Sequence, residues 1–204
     1  MSALVQSLGR LKAPVFAVLA AMVLSGCGVN VIPTSEEKAK AAWSEVLNQY
    51  QRRSDLIPNL VETVKGYASQ EKDVLTSVVE ARAKATSIRV DASTITNPEQ
   101  FKQFQDAQAG LSGALGRLIA ISEAYPDLKS NQNFLALQSQ IEGTENRIAV
   151  ARRDYIDAVR VYNTELRTFP GVIWASILYR GNKPMETFTI SEQQMQVPKV
   201  NFGK

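Results

Sequence analysis

Residues 134–169, FLALQSQIEGTENRIAVARRDYIDAVRVYNTELRTF, place a bulky apolar side chain at every seventh position. A seven-residue repeat keeps one stripe of an α-helix turned toward its neighbours and gives the helices a slight left-handed supercoil. Smaller apolar residues fill companion positions of the same stripe. The repeat consists of Phe134, Ile141, Ile148, Tyr155, Tyr162 and Phe169, with Leu137, Ala151 and Ala158 as companions. The stretch therefore predicts one long helix, from about Ser130 to Thr168, that packs against other helices.

A first helix is predicted from Ser35, because apolar residues recur at helical spacing after it. The spacing continues past Pro58 without a change of phase, which two separate helices would have no reason to maintain. Proline removes one backbone hydrogen bond, so we expect Pro58 to kink this helix. The alternative is a break at Ile57 with a new helix after it.

Two further helices are predicted between these segments. One starts between Ser69 and Glu71, and the other has Asn97 as its N-cap and Pro98 at the first helical position. Short links favour antiparallel neighbours. The expected fold is therefore all-α: an elongated antiparallel up-down bundle of about four helices over residues 35–169, with a long kinked first helix and an irregular C-terminal tail.

The N-terminus has the features of a secretory signal, because Arg10 and Lys12 precede the apolar run 13–24. That run would span about 18 Å as a helix, which is short of a hydrocarbon core of about 30 Å. Its end resembles a bacterial lipobox, whose cysteine receives a diacylglyceryl group and becomes the first residue after cleavage. The motif consists of Leu24, Ser25, Gly26 and Cys27. We predict a signal peptide over 1–26 and acylation, including palmitate, at Cys27; the alternative is an uncleaved membrane helix.

The predicted signal peptide and acylated cysteine imply a location for the protein. The protein is expected to be membrane-anchored and extracytoplasmic, on the periplasmic face of the outer membrane if the host has two membranes, because Gly28 instead of aspartate follows the cysteine. Cys27 is the only cysteine, so no intramolecular disulfide can form. Residues 27–34, which contain Pro33, are predicted to tether the lipid to the bundle.

The composition excludes several kinds of chemistry. The chain of 204 residues has no histidine, which removes Ser-His-Asp and Cys-His arrangements, HExxH zinc sites and most transition-metal clusters. No enzyme activity and no cofactor are therefore predicted. Lysine and arginine alternate with acidic residues instead of forming one basic face, so a nucleic-acid partner is not expected.

A structural polar layer is predicted beside the kink at Pro58. Polar residues of the first helix would meet polar residues of the last helix across the bundle, bond to the carbonyl freed by the proline and fix the helix register. The two sets are Asp55, Asn59 and Glu62 on one side and Glu145, Asn146 and Arg152 on the other. Separately, Glu142 and Glu145 lie three positions apart near Arg147, Arg152 and Arg153 and could serve acid-base catalysis. We prefer a salt-bridge network there, because nothing in the sequence supplies a pocket or a nucleophile.

Residues 170–204 are predicted to form an apolar segment followed by an extended tail. The segment FPGVIWASILYRGNKP, residues 169–184, is too apolar to lie free in water. It is expected to fold back on the bundle; the alternative is contact with a membrane or a partner protein through Ile173, Trp174, Ile177 and Leu178.

Two blocks of the chain resemble the LemA family of bacterial membrane-associated proteins. They are RRSDLIPNLVETVKGYASQEKDVLTSVVEARAKA, residues 52–85, and AYPDLKSNQNFLALQSQIEGTENRIAVARRDYIDAVRVYNTELRTFPG, residues 124–171. The resemblance implies an antiparallel helical bundle on a membrane and a non-enzymatic envelope protein. A membrane metalloprotease is a partner that only this family analogy implies. Many members have a plain transmembrane segment where this chain has LSGC, so orientation is not carried over.

The expected function is that of a membrane-anchored, non-catalytic scaffold or adaptor for other envelope proteins. The alternative is a module that binds a lipid or another small hydrophobic molecule between the helices or at the apolar segment. A hydrolase that uses carboxylates is a third interpretation, and it would require a deep cleft with a perturbed acid.

Overall fold

The structure, a computed structural model, describes residues 28–91 and 93–189. The predicted signal peptide, Cys27 and the end of the predicted tail lie outside these ranges. The described ranges are all-α, as predicted, and contain no strand. None of their helices is both long and apolar enough to cross a membrane. The α-helices are α1 Val31–Tyr67, α2 Lys72–Ser87, α3 Pro98–Ile121, α4 Pro126–Lys129, α5 Gln132–Glu165 and α6 Gly171–Ile177, and short 3-10 helices cover Thr94–Thr96 and Ser122–Ala124.

The four long helices alternate in direction. Helices α1 and α5 are antiparallel, since the end of α1 meets the start of α5 through a hydrogen bond from Asn131 Nδ2 to Tyr67 Oη. Helix α2 runs back along α1, so that Arg82 reaches the Ser54 carbonyl. Helix α3 turns again and brings Gln108 beside Arg53. These contacts give the up-down arrangement that short links between helices favour.

Helix α1 is one helix through Pro58, so the predicted continuity is confirmed and the alternative break is excluded. Ile57, Leu60 and Val61 are buried on both sides of the proline. Each buried aliphatic side chain stabilises the fold by about 1.5–3 kcal/mol, which together offsets the roughly 3 kcal/mol cost of an internal proline.

The start of α1 differs from the prediction, because the helix begins at Val31 and not at Ser35. Ile32 is fully buried, and the Ser35 hydroxyl donates to the Ile32 carbonyl within the helix. Pro33 lies in the first turn, where the backbone N–H groups have no partner inside the helix, so the ring costs no hydrogen bond there. The predicted tether is helical from Val31 onward.

The predicted start of α3 is confirmed. The Asn97 side chain accepts hydrogen bonds from the backbone N–H groups of Glu99 and Gln100, and Pro98 is the first helical residue. This bond pattern is that of an N-cap, which satisfies donors that the helix itself leaves free.

The seven-residue repeat of α5 is correct up to Tyr162. Residues 134, 141, 148, 155 and 162 are all buried, whereas Phe169 is 81% exposed. Helix α5 ends at Glu165, so the repeat loses its helical geometry before it reaches Phe169. The preceding chain forms the separate short helix α4, which Pro126 starts.

The core divides into two clusters along α1. Helix α2 covers only the second half of α1, where the buried residues are mainly aliphatic. Around the first half, the core contains rings from α1, α3 and α5, and residues 182–189, which form neither helix nor strand, pack over them through Met185 and Phe188. We call residues 182–189 the strap.

Candidate functional site

The centre of the bundle holds a buried arginine. The Arg53 side chain, on α1, has no solvent exposure. Its Nη1 donates to Ser112 Oγ and to Glu145 Oε1, both at 2.6 Å. Its Nη2 donates to Gln108 Oε1 at 2.6 Å and to the Gln108 carbonyl at 3.3 Å. The guanidinium carbon also lies 5.0 Å from the centre of the Tyr50 ring.

These bonds use all four N–H groups on the two Nη atoms of Arg53. A buried charge is tolerated only when it is paired and hydrogen-bonded, and this cluster pairs it with one carboxylate and three neutral acceptors. The acceptors come from α3 and α5, so the guanidinium joins three helices at one level. The terminal donors are thus bonded inside the protein and tie the three helices together, whereas the buried Nε has no partner among the described residues.

The polar cluster differs from the predicted polar layer. Asp55 accepts from Gln51 on the same helix, and Glu62 pairs with Lys65 at 3.6 Å on an exposed face. Asn59 is exposed as well. Helix α1 turns these three side chains outward, since Ile57, Leu60 and Val61 occupy the inward positions.

On α5, the predicted residues have different positions. Glu145 does bond across the bundle, but to Arg53. Asn146 is exposed, and Arg152 lies with its guanidinium carbon 4.4 Å from the centre of the Phe188 ring. Of the predicted layer, only Glu145 forms a hydrogen bond between long helices.

Arg53 itself was absent from the predicted layer, although the sequence carries a signal for it. The apolar series of α1 places inward residues at Tyr50 and Ile57, and helical spacing makes positions 53 and 54 inward as well. Both positions are polar in this chain, and both are buried. A charged residue at an inward position indicates a buried polar cluster.

The carbonyl freed by Pro58 is that of Ser54, and it accepts a hydrogen bond from Arg82 Nε at 2.9 Å. Arg82 comes from α2, a helix that the predicted polar layer did not include. This bond satisfies an acceptor that would otherwise lose its partner, because proline has no N–H to donate.

Replacement of Arg82 by methionine is expected to lower the free energy of unfolding by about 1–2 kcal/mol, because a partly buried carbonyl loses its donor. Urea unfolding followed by circular dichroism measures the change. The control is Lys84→Met, on the exposed face of the same helix, for which a change within about 0.5 kcal/mol is expected.

A double-mutant cycle with Pro58→Ala isolates this bond. Alanine at position 58 restores an N–H that can bond to the Ser54 carbonyl, so Arg82→Met should cost less in that background. Equal costs in both backgrounds would contradict the assignment of Arg82 as the partner of the freed carbonyl.

Beside Arg53 lies a cavity of about 210 Å³ between α1, α3, α5 and the strap. Gln105 closes one side by donating to the Thr189 carbonyl at 2.7 Å. Burial raises the pKa of Tyr50, which lines this cavity, so its hydroxyl stays protonated. No set of three histidine, cysteine, aspartate or glutamate side chains is placed to hold a metal ion in residues 28–91 and 93–189.

Tyrosines of α5 hold the strap in place. The Tyr155 hydroxyl donates to the Glu186 carbonyl at 2.8 Å, and the Tyr162 hydroxyl donates to the Lys183 carbonyl at 3.1 Å. Burial raises the pKa of both phenols, which keeps them as donors through the physiological range. The side chain of Asn163 also forms two bonds to the backbone of Met185. These groups act as structural anchors.

The apolar segment divides between the bundle and the surface. Trp174, Ala175 and Tyr179 pack against the aromatic cluster of the core. Among the predicted contact residues, Ile173, Ile177 and Leu178 are exposed, while Trp174 faces the bundle. The predicted lipidation residue Cys27 and its motif, Leu24, Ser25 and Gly26, lie outside the described residues.

The fold and the buried arginine cluster define a helical-bundle protein whose central polar groups serve packing. A profile of the LemA family matches residues 42–202. The chain therefore belongs to the LemA family, as its two sequence blocks indicated.

Curated relatives are identical to this chain at about a quarter of the aligned positions. Magnetosome protein MamQ 2 of Paramagnetospirillum magneticum is 27% identical over 157 residues, or 69% of this chain and 58% of the relative. MamQ of Magnetospirillum gryphiswaldense is 26% identical over 175 residues, or 78% and 64%. Protein LemA of Metamycoplasma hominis is 26% identical over 140 residues, or 69% and 60%. The chain thus spans less than two thirds of the length of each of these relatives.

Proposed function

We propose that this protein is a membrane-anchored, non-catalytic member of the LemA family that serves as a scaffold or adaptor for other envelope proteins. The observation that carries the proposal is the internal use of its central polar groups. The terminal N–H groups of Arg53 are bonded within the bundle, and the buried tyrosines hold the strap. What the bundle offers to other molecules is therefore its outer surface.

That surface is long and carries apolar side chains. Helix α1, with 37 residues, extends about 55 Å at 1.5 Å per residue. On the antiparallel helix α5, Leu135, Val150 and Val161 are each about half exposed. A shallow groove between the two helices adjoins Val150 and is rimmed by charged residues of both signs, including Glu45, Arg147 and Asp154. An apolar centre with a polar rim is the usual composition of a protein interface.

The membrane anchor is the sequence-based part of the proposal. An acylated Cys27 would carry lipid chains whose buried methylenes each contribute about 0.8 kcal/mol, and stable anchoring takes two such signals. The bundle would then be presented close to the membrane surface, because α1 begins at Val31, four positions beyond the cysteine.

Binding of a lipid or another small hydrophobic molecule is the alternative, and the cavities inside the bundle favour it less. Two larger hollows, of about 690 Å³ beside Pro33 and about 330 Å³ beside Val150, are apolar but open to solvent. The cavity between α1, α2 and α3 measures about 260 Å³ and is lined partly by polar side chains such as Gln51 and Gln108. Pockets for drug-sized ligands usually measure about 300–1,000 Å³ and are mostly apolar.

The test is crosslinking of the full-length protein in intact cells, with Cys27→Ala as the variant. The wild type is expected to incorporate palmitate and to form discrete adducts with envelope proteins. The variant should lose the label, and its adducts should fall by about tenfold because it is no longer concentrated at the membrane. Adducts with lipid alone would favour the alternative function, and the absence of protein adducts would contradict the adaptor role.

A further inference from the structure

Helix α6 is apolar on both of its faces. Its sequence, GVIWASI, contains no charged residue, and Ser176 is its only polar side chain. The inner face packs on the bundle through Trp174 and Ala175. The outer face, extended by residues on either side of the helix, leaves five large side chains 40–81% exposed: Phe169, Val172, Ile173, Ile177 and Leu178. A helix that is hydrophobic all round is normally covered on all sides. The outer face of α6 is not covered by any part of the described chain.

The same helix lies where the N-terminal segment joins the bundle. The Tyr179 hydroxyl donates to the Val29 carbonyl at 3.0 Å. Gly28 lies so close to Trp174 that an added Cβ would be 3.1 Å from the indole nitrogen. The apolar run of the sequence ends at Leu24, and four residues of chain reach at most about 14 Å. An anchor of either kind, acylated or membrane-spanning, would hold α6 near the bilayer surface.

The charges around α6 fit an acidic membrane surface. Residues 166–185 contain Arg167, Arg180 and Lys183 and, apart from these, no charged residue of the acidic kind, neither aspartate nor glutamate. The nearby acidic groups lie on the bundle side: the Glu165 carboxylate is beside Gly171, and the Glu36 carboxylate accepts a hydrogen bond from Asn182. All three basic side chains are exposed, and none forms an ion pair among the described residues. Apolar and aromatic side chains flanked by lysine and arginine are typical of segments that lie in the membrane interface.

We propose that the outer face of α6, together with Phe169, inserts into the headgroup boundary of the membrane that anchors the chain, with the three basic residues against acidic headgroups. This inference rests on the anchoring part of the proposed function and adds to it a second, non-covalent contact. With two attachments, the bundle is fixed in direction: the end formed by Val31 faces the membrane, and the end formed by Tyr67 and Asn131 points away.

Bromolipid quenching of an outward tryptophan tests the contact. The full-length protein is reconstituted in phosphatidylcholine–phosphatidylglycerol vesicles with and without brominated acyl chains. Ile177→Trp adds a tryptophan to the outer face of α6, and its emission is expected to shift to shorter wavelength and to fall by about half with bromolipid, because the interface places it near the acyl boundary. The wild type supplies the background from Trp43 and Trp174.

The matched control is Val79→Trp, because Val79 is 52% exposed on α2. Helix α2 reaches α1 at Ser54, about 35 Å along α1 from Val31 at 1.5 Å per residue, so this tryptophan should show no added quenching. Equal quenching of the two variants, or none for Ile177→Trp, would overturn the proposal, and the latter is expected if the face docks a protein instead.

Flotation and charge reversal separate the two attachments. Both variants should float with the vesicles through the anchor; failure to float would remove the anchor and this inference with it. Floating protein with unquenched Ile177→Trp would contradict the α6 contact alone.

Arg180→Glu combined with Lys183→Glu, in the Ile177→Trp protein, should reduce the quenching several-fold in acidic vesicles and much less in neutral ones. An unchanged signal in acidic vesicles would refute the role of the basic residues.

Discussion

Replacement of Arg53 by methionine is expected to lower the free energy of unfolding by about 3 kcal/mol. Removal of one partner from a buried ion pair usually costs about 3–5 kcal/mol. The Glu145 side chain is 39% exposed and can return to water, which places this case at the lower end. Gln108, however, is buried and would lose the donor to its side-chain oxygen. The packing of the apolar stem would survive, because methionine has a similar length.

Urea denaturation followed by circular dichroism measures this loss. The control is Arg153→Met, since the Arg153 side chain is 71% exposed and lies 3.8 Å from Asp154. Exposed pairs of that kind contribute at most about 1 kcal/mol, so the control should unfold nearly like the wild type. If Arg53→Met matched the control, the cluster would be a by-product of packing and not the group that joins three helices.

Local signals in the sequence were sufficient for most of the long helices. The apolar repeat of α5 places Ile141, Ile148 and Tyr155 in the core, and the structure has all three buried. The N-cap of α3 could be predicted because its signal, Asn97 followed by Pro98 and Glu99, is contained in three consecutive residues. The heptad and the cap need no knowledge of distant parts of the chain, so periodicity and local chemistry suffice.

Long-range polar pairing could not be predicted in the same way. Arg53 bonds to residues 55 to 92 positions away, and Arg82 bonds to the Ser54 carbonyl from another helix. The predicted layer used residues that are near Pro58 in sequence, but helix rotation turns Asp55, Asn59 and Glu62 outward. The inward direction at position 53 was available from the spacing, whereas the partners were not, since they depend on how three helices are placed.

Phe169 and Phe188 show the same limit on what a sequence pattern can predict. Phe169 continues the heptad in sequence but lies beyond the end of α5 and is exposed. Phe188 has no helical periodicity around it, yet its ring lies 5.0–6.0 Å from the rings of Trp43, Phe101 and Tyr155. The strap is placed by hydrogen bonds from side chains of α5 and by the bond that the Glu186 N–H donates to the Ile95 carbonyl, which are contacts over long sequence distances. Such a segment gives no periodic signal that a sequence pattern could detect.

Replacement of Phe188 by alanine is therefore expected to release the strap. Truncation of a buried phenylalanine costs about 3–5 kcal/mol, and this one also removes the ring beneath Arg152. Without the ring, the strap is held mainly by a few hydrogen bonds to its backbone, from the side chains of Tyr155, Tyr162 and Asn163. It should therefore open before the bundle unfolds. If the free energy of opening the strap falls by about 3 kcal/mol, amide exchange at Met185 and Glu186 should accelerate by about 100-fold. The amides of α1 near Arg53 should keep their protection.

Hydrogen exchange measured by NMR distinguishes local from global opening, and Phe169→Ala is the matched control. Both variants lose the same atoms, but the Phe169 side chain is already 81% exposed, so its removal should leave exchange at Met185 and Glu186 unchanged. If Phe188→Ala instead accelerated exchange equally in the strap and in α1, the strap would be an integral part of one cooperative core. Unchanged exchange in both would mean that the side-chain bonds of Tyr155, Tyr162 and Asn163 hold the strap without the ring.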